Sequence, residues 1–237
     1  MITKSVTILA VPGALGSVVG NGGNAFTIST AGVEVTLQNL NILSLPFGDI
    51  GVHVTNAKSV TIVNCTIFGF KVPGGLGIWV NPGANAPKVI VVGSTIRNNV
   101  HGIIVAGNGK TTISKSHFIN NSGVAVWSNS GTGTSVVHVS DSVASSNGNG
   151  FAVTGSAGAF NSYMYVMRSV ATENAANGFS TGGGVTAFLV VDQSLSTNNI
   201  EGFTNGAGAG TFHSRGNNTA AGNLADVTGT ITLRGAN

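Results

Sequence analysis

The chain has 237 residues, 10 Lys and Arg against 7 Asp and Glu, a net charge of +3, and a charged fraction of only 7%. That fraction lies far below the roughly 25% of an average globular protein. With 42% apolar residues and a mean hydropathy of +0.33 it excludes a disordered polyelectrolyte, while 36 glycines among many Asn, Ser, Thr and Val residues suit strands and tight turns and exclude a helical bundle.

In chain order, Met1–Ala10 holds one lysine and a short apolar stretch, but Pro12 and Gly13 follow too soon for a signal-peptide core. No apolar run approaches the 18 or more residues of a membrane helix, so a soluble chain with no membrane span is expected. Lys4-Ser5-Val6-Thr7-Ile8 returns letter for letter as Lys58-Ser59-Val60-Thr61-Ile62. From there a phrase Gly-apolar-X-apolar recurs at Gly51, Gly77, Gly102, Gly123 and Gly150, with a looser Gly-Phe form at Gly178 and Gly202. A β-branched run ending in a small residue recurs at Cys65, Ser94, Ser116, Ser142, Ser169 and Ser194, with Asn218 in the last slot. Asparagine follows most of these slots, at Asn99, Asn121, Asn147, Asn174, Asn199 and Asn223.

Three columns share one period of about 25 residues, and a fixed period of that length marks a solenoid. Each repeat carries three short strand patterns and no helical pattern. The expectation is a single all-β domain over residues 1–237, with less regular coils over 1–50, regular coils over 51–223, and a tail or cap over 224–237. Nine coils stacked about 4.8 Å apart would make a rod about 43 Å long. Asparagine suits the corner because it tolerates left-handed backbone and its amide reaches the coils above and below. The inward positions of each coil compensate in size: Ile67 with Ile78, Ile96 with Ile103, Phe118 with Val124, Ala144 with Phe151, Ala171 with Phe179, Ser196 with Phe203. Where one shrinks the other grows, as a fixed cross-section filled to crystal density demands.

The Ser-Val-Thr-Ile opening, Val63-Asn64-Cys65-Thr66-Ile67, Ser94-Thr95-Ile96-Arg97-Asn98-Asn99 and Arg215-Gly216-Asn217-Asn218 resemble bacterial right-handed parallel β-helix repeat proteins, within the pectate-lyase-like superfold. The resemblance covers nearly the whole chain. It implies an all-β, single-stranded right-handed parallel β-helix of about nine coils with three short strands per coil. It also implies a secreted or cell-envelope setting, and an upstream segment lost from a chain that begins inside a coil. Function is not implied, since the superfold spans polysaccharide lyases, hydrolases, epimerases, phage tailspikes and scaffolds.

Outward residues on the first strand of successive coils are Val136, His138 and Ser140, then Tyr163, Tyr165 and Met167, then Phe188, Val190 and Asp192. Tyr163, Tyr165, Met167 and Phe188 form a candidate ligand-binding strip whose ring faces would stack on sugars. In the adjoining turn Lys115, Asp141 and Arg168 fall in register. Were the chain an enzyme, Arg168, Asp192, His138 and Asp141 would carry the chemistry. However, an arginine between Asp141 and Asp192 lowers the acidity constants of both and removes the protonated acid that glycoside hydrolysis requires. The competing reading covers the strip with a loop or the tail from about Leu224 and makes the charges a surface ion ladder.

Polygalacturonase-like enzymes carry Asn-Thr-Asp, an Asp pair, Gly-His-Gly and Arg-Ile-Lys phrases that this chain lacks, and pectate lyases gather calcium-binding carboxylates that it does not. No metal site and no cofactor are expected. Residues 1–118 hold seven Lys and Arg against two acids, and the remainder three against five, so +5 and −2 sum to +3. Lys58, Lys88 and Lys110 form a candidate basic stripe for an anionic polymer, or merely protect a sheet edge. The charge is too small for nucleic acid. Outward Leu43 and Phe68 on the second strand, and His53, Trp79 and Ile104 on the third, suggest an apolar patch for a homo-oligomer or a missing N-terminal segment. Cys65 reads as a small core residue. The functional expectation is a non-catalytic scaffold or glycan-binding module of an exported protein, with an acidic-polysaccharide lyase or hydrolase as the alternative.

Overall fold

Alternate side chains of a strand point to opposite faces, so the short alternating runs of each repeat become three short strands with one inward and one outward row. The computed structural model describes residues 1–237 except 12, 84, 156–159, 207, 209, 236 and 237. Pro12 and the end of the predicted tail therefore lie outside the described residues. The strands stack into three parallel sheets of 10, 9 and 9 strands, each strand pairing with its counterpart one coil on. No helix among the described residues is long and apolar enough to cross a membrane.

In the first sheet one inward column runs Val60, Val89, Thr111, Val137, Met164, Leu189, Phe212. The duplicated pentapeptide does lie two coils apart, with Val6 on Val35 and Val35 on Val60. The first 50 residues already join the three sheets, with a register shift between Ile28 and Ser29.

One glycine column needs correction. Ile103 pairs with Val126 and Val126 with Phe151, so Ala125, not Gly123, stands between Gly102 and Gly150. The core partner of Phe118 is accordingly Val126, fully buried, while Val124 is only half-buried. Size compensation survives this change: the small Ala144, Ala171 and Ser196 share coils with Phe151, Phe179 and Phe203. Those three rings and Phe212 form a continuous pile, with successive centroids 5.1, 5.5 and 5.5 Å apart. The glycine column reflects close approach: a Cβ on Gly77 would meet the Gly102 carbonyl oxygen at 2.6 Å.

The asparagine column forms a ladder. Asn99, Asn121, Asn147, Asn174 and Asn199 are buried, and each accepts at Oδ1 from the backbone N–H of the preceding coil, at 2.9 to 3.1 Å. Each amide Nδ2 donates to the next Oδ1 and back to a carbonyl, as Asn147 does to Asn174 and Phe118. Phe70 takes the slot at one end. At the other, Asn223 donates through N and Nδ2 to Asp226 Oδ1, so a carboxylate terminates the ladder. The left-handed backbone, however, falls one residue earlier, at Asn98, Asn120, Ser146, Glu173 and Asn198, with φ of 54 to 57°. Two jobs assigned to one asparagine are divided between neighbours.

A second ladder runs through the Ser slots: the N–H groups of Cys65, Ser94, Ser116, Ser142 and Ser169 each donate to the next serine Oγ, and Ser194 N–H to Asn218 Oδ1. Cys65 begins this column, 1% exposed, and burial pushes its thiol pKa up.

Candidate functional site

Outward rows of a parallel stack bring like positions of successive coils about 4.8 Å apart, which turns isolated residues into columns. On the first sheet the middle outward column runs Thr112, His138, Tyr165, Val190, His213. Beside it stand Val136, Tyr163 and Phe188 on one flank and Ser140, Met167 and Asp192 on the other. The face is open: Tyr165 is 40% and Met167 37% exposed. The described part of the tail, up to Gly235, borders the face at one end and does not cover it. Ala225–Thr228 instead stacks on Glu201–Asn205, and Thr232–Leu233 on Thr211–Ser214, because an unpaired sheet edge is best satisfied by another coil.

The expected stacking of sugars on exposed ring faces is not what the geometry offers. His138 lies against Tyr165, centroids 4.9 Å apart and planes within 10°, and Tyr163 against Phe188 at 5.0 Å and 18°. At that separation near-parallel rings are offset-stacked on each other, so they stand up from the sheet and turn edges rather than faces outward. The Tyr163 hydroxyl accepts a hydrogen bond from Asn161.

A groove of about 330 Å³ runs beside the His138–Tyr165 pair, with Met167, Asp192 and Arg215 along it. It shares the wall residues Thr112 and His138 with a hollow of about 470 Å³ bounded by Lys88 and Lys110, and Val190 and Arg215 with one of about 360 Å³ bounded by His213 and Arg234. Lys88 and Lys110 are register neighbours. Lys58 is out of that register, since Ser59 pairs with Lys88, and its ammonium is bound to Glu34 at 2.6 Å. The stripe thus reduces to a lysine pair at one end of the groove, with Arg215 and Arg234 at the other.

Lys115, Asp141 and Arg168 occupy left-handed turn positions of successive coils, with φ of 46 to 50°. Arg168 holds Asp141 in a fork, Nε to Oδ1 at 2.7 Å and Nη2 to Oδ2 at 3.0 Å. That arginine keeps the Asp141 carboxyl below the usual carboxylate range. Asp141 is therefore ionised and engaged, unsuited to donate a proton. Asp192 Oδ1 is buried without a hydrogen-bond partner in the groove wall.

The apolar patch divides. Leu43 and Phe68 are register neighbours on the second sheet, where the Arg97 guanidinium lies 4.7 Å from the Phe68 ring centroid. Trp79 belongs to the third sheet, its indole flat against His53 at 4.6 Å. No cluster of three or more metal-ligating side chains occurs among the described residues.

In comparisons with known proteins, the model of a family described as right-handed β-helix region matches residues 21–187. No curated protein and no solved structure matches the chain.

Proposed function

This chain belongs to the right-handed β-helix family, and from that premise we propose that it is a non-catalytic module holding an extended acidic glycan along the outer face of its first sheet. The observation that carries the reading is the groove with cations at both ends, Lys88 and Lys110 in one hollow and Arg215 and Arg234 in another. From the Lys110 strand to Arg234 is five coil steps, roughly 24 Å. Such a run fits a linear polyanion better than a compact ligand. The upright rings form its wall, and the Tyr165 edge offers polar contact beside apolar carbon. A non-catalytic role is supported by the Arg168–Asp141 fork, which occupies the arginine and the acid that a hydrolase or lyase would need free.

Affinity electrophoresis in polygalacturonate tests this. Migration should be retarded, and the retardation should weaken with salt and in Lys110→Ala, Tyr165→Ala and Arg215→Ala. Equal retardation in uncharged dextran, or none in any acidic polysaccharide, refutes it.

The enzymatic alternative rests on Asp192, whose unpartnered carboxylate oxygen sits in the groove wall two coils from His138. Release of unsaturated uronate or reducing ends, abolished by Asp192→Asn and by Arg168→Ala, would establish it in place of the binding role.

A further inference from the structure

The C-terminal end of the first sheet carries a compact site that the polymer reading does not require. Arg215 donates its backbone N–H to the Val191 carbonyl and Arg234 to that of Ser214, so the two arginines continue the outward column of Met167 and Asp192 on successive coils, roughly 4.8 Å apart. His213 stands in the neighbouring outward column, between Val190 and Thr232. The hollow of about 360 Å³ at this end is bounded by Val190, His213, Arg215, Arg234 and Gly235. Two guanidiniums and an imidazole therefore face one small space, and none of these bounding residues is an acid.

Neither arginine is matched by a counter-charge. Among the described residues the ion pairs are Lys58 with Glu34 and Arg168 with Asp141, and Arg215 and Arg234 take part in neither. Asp192 lies one coil before Arg215 in the same column, but its charge acts on the Arg168 guanidinium and its Oδ1 is buried. Burial, then the charges of Arg234 and Arg215, hold His213 below the usual imidazole value, so both guanidiniums lie close enough to act on that ring. The ring is thus neutral at mildly alkaline pH, with one N–H to donate. Two like charges one coil apart repel, and an anion between them turns that repulsion into attraction.

A carboxylate does not exhaust these donors. One planar guanidinium fork satisfies both of its oxygens, whereas two forks and an imidazole N–H match the three terminal oxygens of a phosphate group, which carries about two negative charges. We propose that the hollow formed by His213, Arg215 and Arg234 binds a tetrahedral dianion of the phosphate type, free or as the monoester of a sugar. This goes beyond the groove reading, which asks only for positive charge at this end. Val190 and Arg215 bound the groove as well as the hollow, so the sugar of a monoester would run toward Tyr165.

Isothermal titration calorimetry of the full chain with inorganic phosphate, in mildly alkaline buffer at fixed ionic strength, tests the proposal. Phosphate should bind saturably, and acetate at least about fivefold more weakly. Arg215→Ala and Arg234→Ala should each weaken phosphate binding about tenfold or more. Both side chains are exposed, so each variant should keep the fold, which an unchanged far-ultraviolet circular dichroism spectrum checks. Tighter binding of glucose 6-phosphate than of phosphate assigns the site to an ester, and equal or weaker binding assigns it to the free ion. Acetate bound as tightly as phosphate, full affinity in either variant, or no saturable binding overturns the proposal. Retardation in polygalacturonate without phosphate binding overturns it and leaves the groove reading intact. Phosphate binding without retardation upholds it and removes the polymer.

Discussion

A single side-chain amide settles more of this structure than any charge does. Asn147 accepts from Asn121 N and Nδ2 and donates to Phe118 O, Ser145 O and Asn174 Oδ1, so one buried group closes bonds to the coils on both sides. Asn147→Ala leaves several of those partners buried and unpaired, and should cost about 2–3 kcal/mol in urea unfolding. Asn120→Gly, at the left-handed position in the turn above, should change stability by less than about 1 kcal/mol, because glycine adopts that backbone without strain. Similar losses at both sites would mean that the corner, not the ladder, is the source of stability. The sequence displays Asn-Asn at 98–99, 120–121 and 198–199, yet which member turns and which bonds was not legible there, since both roles suit the same side chain. The coils with Ser146-Asn147 and Glu173-Asn174 held the clue, because only the second member keeps its identity.

At the level of the strand and its coil, packing obeys a sum rule. Phe179 piles between Phe151 and Phe203 while the facing Ala171 leaves it room. Phe179→Ala should destabilise by about 3–5 kcal/mol. Adding Ala171→Phe should recover part of that loss, since the two positions fill one cross-section, and the urea midpoint of the double variant would then exceed that of Phe179→Ala. If instead the losses add, the compensation read from the sequence is coincidental. The outward columns were legible as well, because strand alternation is strict: Tyr163, Tyr165, Met167 and Phe188 all point out. What alternation could not convey is ring attitude. Near-parallel stacking at the strand spacing turned a supposed platform into a wall, and a basic stripe of three lysines into a pair, because a one-residue offset and Glu34 remove Lys58.

For the whole molecule, each coil touches only its neighbours, so stability is approximately a sum over coils and their interfaces. The end coils have one neighbour each, and apolar residues are exposed there: Val6 and Leu9 at one end, Val227 and Leu233 at the other. Amide hydrogen exchange should therefore be slowest in the strands from Lys88–Val92 to Ala187–Asp192 and quicken toward both ends. Asp226→Ala, which removes the terminal acceptor of the asparagine ladder, should steepen that gradient on its own side only. Uniform protection that collapses everywhere at once would contradict a one-dimensional stack.

The period, the three strands per coil, the inward and outward rows and the asparagine and serine columns were determined by the sequence alone, because a repeat stacked on itself places equal positions on one line. The tertiary structure decided how those lines finish and what they enclose. The tail became a further coil rather than a cover, a run of 21 residues between two glycines proved to be a shift of register, and Asp226, which looked like one scattered acid, became the end of a ladder. It also set the His101 ring, one coil before Trp127, 5.7 Å from that indole. Periodicity records what successive coils share. A binding site depends on the positions where they differ, and only the distances between side chains show which of those differences meet.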